Sequence, residues 1–237
     1  MMEGNIDMNR TGWLLLVGIL VFTFLPVSGN CGITLAVLDF ENNGFYDTQT
    51  YQPLSKGLAQ MMITEIQQIE SIQVVERQRL QAILDELKLS QSGLLSEERS
   101  MQVGKMLGAK YLVFGGYLVG MDKKIRIDVR VVEVETGLTL KAEEQTGKVE
   151  KVLVLLKKLS KNLMQDIQVN LTREEEKRLK SASDVKADAL LAFSTAVSYE
   201  DKQDYQNAVL FYKKAVDIDP DFDQARERMQ RLSDKLR

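Results

Sequence analysis

The segment from Ile72 to Gly116 limits how this chain can fold more than any other, because it reads as strand, helix, helix and strand with a turn or cap signal at each junction. Ile72-Gln73-Val74-Val75 is a short β-branched run. Leu80, Ile83, Leu84 and Leu87 then fall at i, i+3, i+4 and i+7, the spacing of an amphipathic helix. Ser90 to Gly93 closes it. Ser96 before Glu97 and Glu98 is an N-cap followed by an acidic first turn, and Lys105 and Gly108 mark the end of the second helix. Tyr111-Leu112-Val113-Phe114 is the next strand.

On either side the pattern continues. Ile33 to Phe40 is a nearly continuous apolar run broken by Thr34 and Asp39, as expected of a strand covered on both faces. Asn42-Asn43-Gly44 makes a turn, and Pro53 stands at a first helical position before Leu54, Leu58, Met61, Met62, Ile66 and Ile69. Downstream, Gly120 to Lys124 turns the chain, and Ile125, Ile127, Val129 and Val131 alternate with Arg126, Asp128 and Arg130. That is a strand with one buried and one wet face, half of an antiparallel pair. Glu135-Thr136-Gly137 is the hairpin turn, Leu138 to Thr146 returns, and Val149, Leu153, Leu156, Leu159, Leu163 and Ile167 stripe a long closing helix.

Three pieces of this framework resemble the CsgG family, whose best-known member is the outer-membrane channel that secretes curli subunits. They are Leu35-Ala36-Val37-Leu38-Asp39-Phe40, the run from Val74 to Glu86 that contains Glu76-Arg77-Gln78-Arg79-Leu80, and Gly108-Ala109-Lys110-Tyr111-Leu112-Val113-Phe114-Gly115. The resemblance spans Ile33 to Gln168. It implies an α/β domain at residues 30–170, a mixed sheet with helices packed on it, and subunits that associate into rings. Two departures bear on function. The loop after the first strand is short, and the aromatic and amide residues that narrow the pore of curli channels have no position-by-position match in it. Those channels also insert membrane-spanning hairpins, whose arms need about nine to eleven residues each, and the turns at Gly120–Lys124 and Glu135–Gly137 leave no room for them.

The two ends of the chain carry different information. Residues 1–29 read as a signal peptide: Arg10 supplies the positive region, Trp13 to Leu25 the apolar core, and Val27 and Gly29 the small residues before cleavage, with Met8 as an alternative start. Cys31, the only cysteine, excludes an intramolecular disulfide and is the candidate lipidation residue; a soluble exported form and a retained anchor helix are the alternatives. At the other end, residues 171–186 are a charged linker, expected as an exposed helix, with Glu174-Glu175-Glu176 followed by Lys177, Arg178 and Lys180. Residues 187–237 read as a small all-α unit. Ala196, Tyr199, Ala208, Tyr212, Ala215 and Pro220 fall at the spacing of a tetratricopeptide repeat, and Phe222, Ala225, Met229, Leu232 and Leu236 supply a capping helix. On the inner face of its first helix Leu190, Phe193 and Val197 form an apolar stripe ending at Glu200 and Asp201. This stripe is a candidate protein-binding groove, with docking inside the chain as the alternative.

Catalytic chemistry has little to work with. Among 237 residues there is no histidine, which removes the commonest general base and neutral metal ligand, and the net charge of -3 gives no overall basic character for nucleic acid. Asp217, Asp219, Asp221 and Asp223 alternate like a calcium loop, but Pro220 interrupts them, Phe222 replaces the required glycine and Arg228 the bidentate glutamate. Gly115, Gly116 and Gly120 lack phosphate-loop spacing and fit strand bending instead. Glu76, Arg77 and Arg79 form the best polar cluster, expected as a surface ion pair or subunit contact, and Lys157, Lys158 and Lys161 as a solvated helix face. The expectation is a non-enzymatic exported protein of the cell envelope, in the periplasm or at the outer membrane, without cofactor or metal. It associates with itself or with an envelope partner. The alternative is a component of an outer-membrane secretion channel related to curli export.

Overall fold

The computed structural model describes residues 32–87, 89, 97–181 and 184–236, all of them within one compact unit. The signal-peptide segment, Cys31, Ser96 and the Ser90–Gly93 turn lie outside the described residues.

The chain begins with β1 (Ile33–Val37) and a two-residue β2 (Glu41–Asn42), then α1 (Thr48–Tyr51), α2 (Leu54–Ile66), β3 (Ile72–Val74), α3 (Arg77–Glu86) and α4 (Glu97–Leu107). Three long strands follow, β4 (Tyr111–Val119), β5 (Lys124–Glu133) and β6 (Thr139–Lys148). A 3-10 turn (Val149–Lys151) leads into α5 (Val152–Asp166), α6 (Arg173–Lys180), α7 (Ala187–Asp201), α8 (Tyr205–Ile218) and α9 (Asp223–Lys235). The sheet order is β3-β1-β4-β5-β6, with β2 beside the far end of β4. β1 runs parallel to β3 and β4, whereas β4, β5 and β6 are antiparallel neighbours. The mixed sheet is thus as expected from the sequence. β4 runs on through Gly115 and Gly116 to Val119, because both glycines stay in register opposite Val129 and Asp128.

Alternation along the strands builds two cores. Leu35, Val37, Tyr111, Val113, Tyr117 and the odd-numbered Ile125, Ile127, Val129 and Val131 face α2 and α5. Ala36, Leu38, Leu112, Phe114, Val132 and Val134 face the other way, onto Leu80, Leu84, Val103 and Leu107 of α3 and α4. That second pair of helices covers only one end of its face, so Arg126, Asp128 and Arg130 on the same side of β5 are left without helical cover. Gly108 ends α4 with φ of 65°, a left-handed conformation in which a side chain would be strained.

The C-terminal helices extend the first core. Leu179, Val185, Ala189, Leu190, Phe193, Ala196, Val197, Ala208, Tyr212, Ala215, Phe222, Ala225 and Leu232 belong to the same apolar cluster as the sheet residues. The closest approach is between α2 and α7, where a Cβ on Gly57 would stand 1.9 Å from Ser194 Oγ and 3.0 Å from its Cα. Glycine is needed there for proximity. The linker helix α6 is exposed over most of its residues but docks on the core through Glu175 and Leu179, which are buried. Thr172 and Glu175 form a reciprocal capping box, and Glu175 Oε1 also accepts from the Glu70 backbone N–H at 2.9 Å, tying α6 to the loop before β3.

Candidate functional site

Two places draw polar or apolar side chains together in ways the core does not require: a buried ionic seam between the sheet and the C-terminal helices, and an exposed apolar end of the sheet.

The seam is centred on Arg77, the first residue of α3. Its Nε donates to Asp201 Oδ1 at 3.2 Å, and its Nη2 donates to Asp201 Oδ2 and Asp39 Oδ1, both at 2.7 Å. Lys56 on α2 donates to Asp201 Oδ2 at 2.6 Å and stands 3.9 Å from Asp39 Oδ2. Asp39 lies just beyond β1, and Asp201 ends α7. One guanidinium therefore joins the segment after the first strand to the C-terminal helices, and Lys56 ties α2 to the same two carboxylates. Only 9% of its side chain is exposed, so the expectation of a surface ion pair is corrected: Arg77 is paired inside the molecule. Burial raises the Asp39 pKa despite Arg77 and Lys56, whereas at Asp201 burial is outweighed by hydrogen bonds and charge from Arg77 and Lys56, and the pKa falls. Two smaller clusters flank this one. Glu200 accepts from the Tyr212 hydroxyl at 2.8 Å and from Arg228 Nε and Nη2 at 3.1 and 2.8 Å. Glu65 accepts from Gln224 Nε2 at 2.7 Å, with Lys157 Nζ at 3.5 Å from its other oxygen, and burial raises its pKa. Lys157 also donates to the carbonyls of Arg178 and Ser181 at the end of α6, so it is not the solvated lysine its spacing suggests.

These contacts decide where the expected groove lies. Leu190, Phe193 and Val197 are buried, Phe193 between Tyr212 and Phe222 at ring distances of 5.5 and 5.0 Å. The stripe is therefore no open groove: it faces the core, because α2 packs along α7. Of the two carboxylates expected at the groove's end, Asp201 belongs to the seam and Glu200 to the cluster beside it. Of the repeat signature, Ala196, Ala208, Tyr212 and Ala215 are fully buried, Tyr199 stacks on Phe211 at 5.3 Å, and Pro220 is exposed. Asp219 is also buried, accepting from the Lys186 backbone N–H at 2.8 Å. Sequence reasoning missed Asp39 and Asp201 as the partners of Arg77, and Lys56 as the second cation on the same carboxylates. The signal was available at Asp39, a carboxylate closing an otherwise apolar buried strand.

The second place is the far end of β4. Asn43 N–H donates to Tyr117 O at 2.7 Å and Gly44 N–H to Asn42 Oδ1 at 3.0 Å, so the loop after β2 lies along β4 beside Leu118 and Val119. That loop carries Phe45, which is 103% exposed, and Tyr46, while the adjoining β4–β5 turn carries Met121 at 81%. Leu118 is exposed between them.

Residues 26–125 match the family model described as "Curli production assembly/transport component CsgG". The match contains both the exposed apolar loop and Asp39, Lys56 and Arg77, and the sheet of this chain is CsgG-like. Among solved structures, the LpoB C-terminal domain from Salmonella enterica is similar at 16% identity, covering 50% of this chain and 84% of that one, with a TM-score of 0.40. TolB from Acinetobacter baumannii is similar at 9% identity over 58% of this chain and 28% of that one, with a TM-score of 0.41. The PelC dodecamer from Paraburkholderia phytofirmans follows at 11% identity, 57% and 89% coverage and a TM-score of 0.33. No curated protein matches the chain. Among the described residues no helix is long and apolar enough to cross a membrane, and no group of three or more His, Cys, Asp or Glu is placed to hold a metal ion.

Proposed function

We propose that this is an exported, non-enzymatic protein of the cell envelope that works by protein–protein contact, made through the open end of the sheet. The observation that carries the reading is the group Phe45, Tyr46, Leu118 and Met121 on a CsgG-like framework. Large apolar side chains gathered at one rim, rather than scattered singly, mark surfaces that are covered in the working assembly. A second copy of the chain is one occupant and an envelope partner the other. The leader segment and Cys31 support export, with Cys31 as an acyl anchor. We read α7 and α8 as a single tetratricopeptide repeat capped by α9. Its usual ligand face is occupied by α2, so the repeat acts here as a brace for the sheet, and contact with other proteins falls to the sheet end.

Cell fractionation with carbonate extraction, followed by light scattering of the purified protein at tens of micromolar, tests the reading. The expected result is an envelope fraction and a species larger than a monomer, or a monomer that retains an envelope protein through Phe45 and Met121. A cytoplasmic protein, or a strict monomer that retains nothing, would overturn it. Steady conductance steps in a planar bilayer would move the protein to the channel class instead.

A further inference from the structure

The outer side of α8 carries apolar surface that the other described elements leave uncovered. This helix packs on α7 and α9 and buries Ala208, Tyr212 and Ala215 between them. Leu210, on the remaining side, is 59% exposed. It lines a shallow groove of about 320 Å³ together with Phe211, Lys213, Lys214 and Asp217. Phe211 is stacked on Tyr199 of α7, and Lys214 Nζ stands 5.8 Å from the centre of the Phe211 ring. One wall of the groove is therefore an aromatic pair with a cation at its edge.

The rim at the far end of the sheet has the opposite shape and the opposite free charge. Phe45 and Met121 protrude from it. Asp47, two residues from Phe45, is exposed, and its carboxylate neither caps α1 nor pairs with a cation among the described residues. In the groove Lys213 is matched by Asp217 at 3.6 Å, whereas Lys214 has no carboxylate partner among the described residues. A single copy satisfies neither surface, since Phe45 and Leu210 both stay open to water.

We infer that the groove on α8 receives the rim of a second copy of this chain, with Phe45 and Met121 resting on Leu210 and Phe211 and Asp47 beside Lys214. The inference rests on the reading of the rim as a contact surface and names its occupant. A protruding rim and a groove on different parts of one chain make a head-to-tail contact. Each pairing leaves one rim and one groove free, so association continues beyond a dimer.

The test follows mass by light scattering and native mass spectrometry for the wild type, a rim variant (Phe45→Ser with Met121→Ser) and a groove variant (Leu210→Ser with Lys214→Glu), each alone and the two variants mixed. Leu210 and Lys214 are exposed, so the groove variant should melt close to wild type. The expected result is association of the wild type beyond a dimer, weakened at least about tenfold in either variant alone. The mixture should form a one-to-one dimer, because the intact groove of one variant takes the intact rim of the other. Asp47→Lys should weaken association, and Lys214→Asp in the same chain should restore it. A groove variant that associates like wild type while the rim variant does not would overturn the inference and leave the rim as a contact surface. A monomeric wild type would overturn it and leave the rim to an envelope partner. A mixture that stays monomeric, or an exchange of charges that restores nothing, would overturn it as well. Wild-type association of the rim variant would remove both the inference and self-association through the rim.

Discussion

The two faces of the sheet have been finished in opposite ways. One carries α2 and α5 and, through α2, the whole helical C-terminus, so that Leu35 and Ile127 share one apolar cluster with Phe193 and Leu232. The other carries only α3 and α4, and beyond Val132 the same strand shows Arg126, Asp128 and Arg130 without helical cover. The difference teaches what the C-terminal helices are for. Helices α7 to α9 do not cover the inner face of α7 by themselves, and they use the sheet domain as their neighbour. The finished face is thereby covered, while Phe45, Tyr46, Leu118 and Met121 are left exposed at the end of the sheet.

If the seam locks the finished face, cutting it should have the largest effect. Arg77→Met leaves Asp39 and Asp201 buried without their main partner, and we expect a loss of about 3–5 kcal/mol in chemical denaturation. A loss below about 1 kcal/mol, the range of exposed pairs, would mean that the pair is exposed in solution. Gly57→Ala should cost about 1–3 kcal/mol by pushing α7 off α2. Adding Ser194→Gly should recover part of that loss, because it removes the Oγ and Cβ that the new methyl group meets; the measurement is a double-mutant cycle.

Acid should sharpen the comparison. Asp201 has a lowered pKa, so its contribution to stability is present above its unfolded-state pKa and is lost as pH falls through the folded one. Asp39 and Glu65 have raised values and act in the opposite sense, favouring the folded state at lower pH and losing that contribution as pH rises through their folded pKa values. The melting-temperature gap between wild type and Asp201→Asn should therefore narrow as pH falls below the usual carboxylate range. A gap that widens would contradict the assignment. The smallest stability effect belongs to the open end, where Phe45→Ser with Met121→Ser should change stability by no more than about 0.5 kcal/mol. The same pair should abolish self-association or partner capture, read by light scattering and co-purification.

Much of this architecture was legible because periodicity is local. The alternation at Ile125–Val131 specified an antiparallel strand and its buried face, and the spacing of Leu80, Ile83 and Leu84 specified α3. What periodicity does not encode is which surface covers which. The stripe Leu190, Phe193 and Val197 has the same pattern whether a partner or α2 lies on it, and a glycine at position 57 shows its purpose only once Ser194 is brought against it. Arg77 looked exposed for a related reason. It follows a short strand among polar neighbours, while its carboxylates lie near Phe40 and at the end of α7, far away in sequence. Composition does not reveal how α6 docks, because only one leucine and a capping glutamate are buried in a helix whose other side chains stay largely exposed.

The central claim is that sheet and helical C-terminus are one cooperative structure, with α7 to α9 serving as a brace. Native-state hydrogen exchange tests it most directly, by comparing the slowest amides of α7, such as Phe193 and Ala196, with those of β4, such as Val113. The account predicts the same opening free energy in both places and the same slope against denaturant. Amides of α7 that open at a free energy lower by several kcal/mol, while β4 stays closed, would show a helical C-terminus that detaches on its own and would contradict it.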